Sequence, residues 1–226
     1  MPERQLWLEF PPISHSAPPR LLAFLHGAGS SPEALAPVAL SWHLKFPGAT
    51  VAVLQGTRRT RCMRGRDWFD PMAVDAERRR CVDAAVGLAA ERLAAAQHTA
   101  GLDGARTVMI GFSQGATMAL ELARAHPELA AIVVSYAGRL ARPVGRNERV
   151  WPTIHLIHGE FDSIVPAVHA QQAFRGLKAA GADVTLDIAA DTAHTIGQQL
   201  VNLGTLRVMQ TVFRGRRRGA RESALH

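Results

Sequence analysis

Thr107-Val-Met-Ile-Gly-Phe-Ser-Gln-Gly115 runs without a break into Ala116-Thr-Met-Ala-Leu-Glu-Leu-Ala123. A short apolar run therefore leads directly into a helix-forming stretch rich in small residues, with Gly-x-Ser-x-Gly at the join. In that setting the pentapeptide predicts a sharp strand-to-helix turn that lifts a serine hydroxyl above the edge of a sheet. Glycine suits positions 111 and 115 because a Cβ at either would strike the adjoining helix or strand. Ser113 is the expected nucleophile.

Outward from this turn, short apolar runs alternate with longer amphipathic stretches. That order predicts an α/β fold with a mainly parallel sheet of about seven strands flanked by helices. Strands are expected over 5–10, 20–25, 50–54, 107–110, 131–135, 153–158 and 183–188. Helices are expected over 32–45, 74–97, 114–126, 166–180 and 194–213. The second of these carries apolar residues at 82, 85, 86, 89 and 93, a spacing that buries one face. Pro32 and Pro166 suit first-turn positions. The 136–152 stretch between two strands is rich in Arg, Gly and Pro and has no helical pattern, so it leaves no room for a cap domain. The site should be open.

Composition narrows the classes. A chain of 226 residues with 47% hydrophobic residues can bury the core of one large domain, expected over 1–213. The apolar runs fall short of the ~18 residues that span a bilayer, so no stable membrane insertion is expected. With no secretory pattern at the start and only Cys62 and Cys81, the reading is a cytoplasmic protein with reduced thiols. The formal charge of +7 comes almost wholly from arginine, concentrated in a loop at 58–66 and in a tail at 214–226. The tail lacks apolar periodicity and is expected to be disordered and solvated. Neither cluster interleaves aromatics as nucleic-acid binders do, so no nucleic acid is expected as a partner. Monomer and homodimer are both open.

A serine hydroxyl needs a base, and the base needs a carboxylate to hold its tautomer. Behind this kind of turn the partners follow in the order Ser, acid, His. His194 lies past the last expected strand, in Asp191-Thr-Ala-His-Thr-Ile196, and is the expected base. Asp162, in His158-Gly-Glu-Phe-Asp-Ser-Ile-Val165, follows a strand end and is the favoured acid, with Asp191, Asp187 and Glu160 as rivals. Two backbone N–H groups should face the oxyanion. One is that of Gln114 at the start of the elbow helix; the other lies in Leu25-His-Gly-Ala-Gly-Ser30, where Ala28 is the best candidate. His26 reads as a brace of that turn.

Phe24-Leu-His-Gly-Ala-Gly29, Trp68-Phe-Asp70, Gly111-Phe-Ser-Gln-Gly115, His158-Gly-Glu-Phe-Asp-Ser-Ile-Val165 and Ala193-His194 occur together and in this order. In this the chain resembles the phospholipase/carboxylesterase family of α/β-hydrolases, which includes acyl-protein thioesterases, over about residues 20–212. The resemblance implies an α/β-hydrolase fold and hydrolysis of a small-molecule acyl ester or thioester without metal or cofactor. It also implies Ser113, Asp162 and His194 as catalytic residues, Ala28 and Gln114 at the oxyanion, and Trp68 and Phe69 beside the acyl group. Ser30 where Asp is usual, Thr-Ala before the histidine and the arginine tail depart from the family pattern. The arginine loop leaves lysophospholipase or acyl-protein and acyl-CoA thioesterase action open. A silent binding protein on the same scaffold and a membrane-surface role for the tail are the readings from other classes.

Overall fold

Alternation along the buried strands decides the layers of this molecule, described here from a computed structural model over residues 6–60, 65–145 and 147–223. In strand β2 (Arg20–Leu25), Leu21, Ala23 and Leu25 enter one core while Leu22 and Phe24 enter the other. Strand side chains alternate between faces, so a strand apolar at every position must be covered on both sides. Helices α2 (Asp75–Ala100), α3 (Gln114–Ala125) and α4 (Val168–Ala179) contribute to the first core. Helices α1 (Pro32–His43) and α5 (Gln198–Ser223) contribute to the second.

The other strands of the sheet are β1 (Trp7–Phe10), β3 (Ala49–Leu54), β6 (Thr107–Phe112), β7 (Ile132–Tyr136), β8 (Thr153–Gly159) and β9 (Val184–Ala189). A two-stranded hairpin, β4 (Arg58–Arg59) with β5 (Arg66–Asp67), stands apart. The sheet order is β1-β3-β2-β6-β7-β8-β9, and only β1 is antiparallel to its neighbour. From β2 the chain moves outward to β3 and then returns to β6 on the other side of β2. The loops leaving β2 and β6 thus diverge to opposite faces, α1 on one and α3 on the other. That divergence opens a crevice above the carboxyl ends of the two strands, where ligands of open α/β sheets bind.

The seven expected strands and five expected helices all form, with shifted ends. Helix α5 begins at Gln198 rather than 194, because residues 194–197 stay irregular after a tight Thr195 N–H to Ala193 O hydrogen bond of 2.9 Å. It also runs on to Ser223, so most of the stretch expected to be a disordered tail continues the last helix. The hairpin β4–β5 has no counterpart in the sequence reading. Cys62, Arg61 and Arg64 lie outside the described residues, and Cys81 is a free thiol. Among the described residues no helix is long and apolar enough to cross a membrane.

The 137–152 segment carries no helix among its described residues and is held down instead of being built up. The Arg124 guanidinium, on α3, donates to the carboxylates of Glu121 and Glu148 and to the carbonyls of Arg142 and Pro143. Glu121 in turn accepts the Ala141 N–H at 2.8 Å. Burial pushes the Glu121 carboxyl up, and the hydrogen bonds from Arg124 draw that of Glu148 down to about 2.

Candidate active site

Strand β6 ends at Phe112, and Ser113 turns the chain into α3 with φ 54° and ψ −113°. A non-glycine residue in that region is strained, and the surroundings must hold it there. The Ser113 N–H donates to Tyr136 O at 2.9 Å, and Ser113 O accepts from the N–H groups of Ala116 and Thr117, each at 3.1 Å. The hydroxyl makes no cap on α3, so it is left for other work. The glycines on either side account for the closeness of the turn. A Cβ on Gly115 would lie 2.1 Å from Leu25 O, and one on Gly111 would lie 2.4 Å from Gly115 O.

Asp162 and His194 meet at the same edge. Gly159, at the end of β8, lets the Thr192–Ala193 backbone lie against it, since a Cβ there would sit 2.3 Å from Thr192 O. The loops after β8 and β9 are then stitched by Glu160 N–H to Ala189 O and Phe161 N–H to Thr192 O, both 2.9 Å. Asp162 is buried. Its Oδ1 accepts the N–H groups of Ile164 and Val165 at 3.0 and 2.8 Å, and its Oδ2 faces His194 Nδ1 at 2.7 Å. The contact with a carboxylate makes Nδ1 the protonated nitrogen, which leaves Nε2 as a base. The rivals for the acid are elsewhere: Asp187 is held by Arg207 at 2.6 and 2.8 Å, and Asp191 and Glu160 are exposed.

A cleft of about 480 Å³ brings Ser113 and His194 together with Gly27 and Ala28 of the turn after β2. A Cβ on Gly27 would be 3.3 Å from Phe112 Cδ1 and 3.6 Å from Ser113 Cβ, so this turn lies against the serine and the residue before it. Gln114 opens α3 with its N–H at the positive end of the helix dipole. Ala34, Leu35 and Val38 from α1, with Phe112, Ile164 and Ile196, give the rest of the cleft a mostly apolar wall that Ser30 and Thr195 interrupt. The Phe112 ring lies 4.9 Å from that of His194.

His26 is fully buried and braces the turn, as its sequence context suggests. Its Nε2 accepts the Gly56 N–H at 2.9 Å, so Nδ1 carries the proton and donates to Gly27 O at 2.8 Å. Burial lowers its pKa, which keeps the ring in the neutral form that this pattern requires.

Two groups have roles that motif reading missed. The Gln114 side chain reaches back from the elbow, accepting the Trp68 N–H at 2.7 Å and donating to Phe69 O at 2.9 Å. His158, 1% exposed, donates from Nε2 to Val165 O at 2.6 Å and lies 3.3 Å from Asp162 Oδ2. The His-x-x-x-Asp spacing carried that second contact but gave no sign of it. Trp68 and Phe69, expected beside the acyl group, are instead 1% and 7% exposed in the core under α2 and are not among the residues lining the cleft. Trp68 Nε1–H donates to His26 O at 2.8 Å, so Trp68 braces the turn. Among the described residues no group of three or more His, Cys, Asp or Glu is placed to hold a metal ion.

Known proteins share this architecture. Residues 13–203 match the Phospholipase/Carboxylesterase family. Esterase YpfH of Escherichia coli (strain K12) is 36% identical over 178 residues, which cover 78% of this chain and 76% of that protein. The crystal structure of esterase PE8 superposes with a TM-score of 0.82 at 27% identity, over 90% of this chain and 97% of that one. The Bacillus cereus carboxylesterase, at 19% identity and a TM-score of 0.76 over 90% and 93% of the two chains, shares the fold. With its mainly parallel, open seven-stranded sheet flanked by helices, the chain has the α/β-hydrolase fold and belongs to the phospholipase/carboxylesterase family of carboxylic ester hydrolases.

Proposed function

We propose that the protein hydrolyses carboxylic esters or thioesters of acyl chains through an acyl-Ser113 intermediate. One observation carries this reading: Asp162 Oδ2 lies 2.7 Å from His194 Nδ1, and His194 shares a cleft with a strained, uncapped Ser113. Ser113 Oγ attacks the acyl carbon while His194 Nε2 takes its proton. The carbonyl oxygen, now negative, is met by the N–H groups of Ala28 and Gln114, each such donor contributing about 3 kcal/mol of barrier lowering. Collapse breaks the bond to the leaving alcohol or thiol, which receives the proton from His194. Water, deprotonated by the same nitrogen, then attacks the acyl-serine and releases the acid. Asp162 holds the imidazole in one tautomer and faces the positive charge that forms on it.

The apolar wall of Leu35, Val38, Ile164 and Ile196 favours an acyl chain over a charged group at the serine. Arg58 is engaged by Asp67 and Asp70, at 3.6 and 2.9 Å, which weighs against Arg58 as a clamp for an anionic head group. The test is turnover of a chain-length series of p-nitrophenyl and acyl-CoA esters by the wild type and Ser113→Ala. Turnover by the wild type with loss in the variant supports the reading; equal turnover by both overturns it.

A further inference from the structure

The turn that carries Ala28 is held from outside by a side chain with no part in the acyl-transfer steps. Asp67, at the end of the β4–β5 hairpin, is 3% exposed. Its Oδ1 accepts the Gly29 N–H at 2.8 Å, and its Oδ2 lies 3.6 Å from Arg58 Nη1, on the residue opposite it in the hairpin. A carboxylate is costly to bury unless it is hydrogen-bonded and paired, and this one has both kinds of partner.

The hairpin is pressed against the turn along several contacts. A Cβ on Gly65 would fall 1.9 Å from Gly29 O, so the two backbones touch. The Arg66 N–H donates to Ser30 O at 2.7 Å. A peptide unit is planar and trans, so fixing one of its polar groups fixes the whole plane. His26 fixes the Gly27–Ala28 plane through Gly27 O. Asp67 fixes the Ala28–Gly29 plane through the Gly29 N–H. The peptides on both sides of the Ala28 Cα are therefore held, each by a different buried side chain.

We propose that Asp67 is a positioning residue for the oxyanion turn: by holding the Gly29 N–H it sets the backbone at Ala28 so that the Ala28 N–H points at the developing oxyanion. The proposal rests on the acyl-Ser113 reading. It also gives Arg58 a purpose, since its guanidinium supplies the cation beside the buried carboxylate.

The experiment compares Asp67→Ala, which removes the acceptor, with Asp67→Asn, which keeps an oxygen for Gly29. Turnover is counted per active site titrated to saturation with a fluorophosphonate. The Ala variant should lose about 10- to 100-fold in kcat on a p-nitrophenyl ester at unchanged KM, because donor aim matters in the transition state and hardly at all in ground-state binding. The inhibition constant of an alkyl trifluoromethyl ketone, which forms the tetrahedral adduct, should rise by the same factor. The Asn variant should recover most of both. Where the Ala variant does not fold, Asp67→Ser, whose hydroxyl stops short of Gly29, takes its place. Native kcat and ketone affinity in the folded Ala or Ser variant, or an Asn variant as impaired as either, would overturn the proposal. A lowered melting temperature with unchanged kcat would overturn it too, as a purely structural role. A wild type that hydrolyses no ester fails one step earlier, at the acyl-serine reading, and is told apart by that control.

Discussion

His194 Nδ1 lies 2.7 Å from Asp162 Oδ2, although the two residues are carried by loops after different strands. The contact depends on Gly159, where the loop after β9 lies on the end of β8, and on the backbone bonds that join the two loops. Asp162 is itself held by two backbone N–H groups, so its carboxylate is aimed before any substrate arrives. Asp162→Asn should keep these contacts through the amide oxygen while removing the charge and the control of tautomer. The expected result is a fall in kcat of about 10³- to 10⁴-fold with a near-native melting temperature. Asp191→Asn is the control: Asp191 is exposed with φ 52°, a conformation asparagine tolerates, and kcat should be unchanged. Steady-state kinetics of both variants check the pair.

Gly115→Ala should be poorly tolerated. The new methyl would sit 2.1 Å from Leu25 O and 2.5 Å from His26 O, backbone atoms at the end of β2 and the start of the turn that carries Ala28. Relief requires α3 to move away from β2, at a cost of about 2–4 kcal/mol. Urea unfolding should show the loss, and activity should fall further than the folded fraction because the turn and the serine separate.

Arg124 ties α3 to the segment that stands where a cap would be. Replacing it with Met leaves Glu121 buried and without its cation. The expected destabilisation is about 3–5 kcal/mol at neutral pH. Glu121→Gln should be milder, because the amide oxygen can still accept the Ala141 N–H. Chemical denaturation of the two variants at pH 7 distinguishes them.

Acid should weaken the fold in part through His155. The ring is fully buried between the hydroxyls of Thr185 and Thr211, at 2.8 and 3.0 Å, and burial lowers its pKa to about 4. Between pH 6.5 and 4 the unfolded chain binds a proton at this residue and the folded chain does not, so stability rises with pH across that window and is lost as pH falls through it. The loss is on the order of 3 kcal/mol. His155→Gln lowers stability at pH 7 by losing one hydroxyl contact, yet its stability should decline less between pH 7 and 4.5. Urea midpoints of both proteins at the two pH values read the difference directly.

Much of the fold was legible because the sheet is buried on both faces. Runs such as Leu21–Leu25 and Val51–Leu54 are apolar at every position, and the helix expected over 74–97 carries one apolar stripe. Ser113, Asp162 and His194 are expected at one edge of the sheet because each follows a strand, and parallel strands bring their carboxyl ends together. The hairpin at 58–67 was not legible: two-residue strands of arginine and aspartate have no alternation to read, and their contacts are with a turn more than thirty residues away. The burial of Trp68 and Phe69 away from the cleft lining was not legible for a related reason. An aromatic pair at a loop end looks the same from the sequence whether it faces a cleft or fills the space beneath it. Here the Gln114 side chain, through its bonds to Trp68 and Phe69, holds the pair inward.

In the proposed reaction Ser113 is the acylated nucleophile. Labelling with a fluorophosphonate, followed by peptide mapping, tests it most directly. One label per chain on the peptide containing Ser113, abolished in Ser113→Ala and greatly slowed in Asp162→Asn, is the expected result. Equal labelling of the wild type and Ser113→Ala, or a label mapped to another residue, would contradict it.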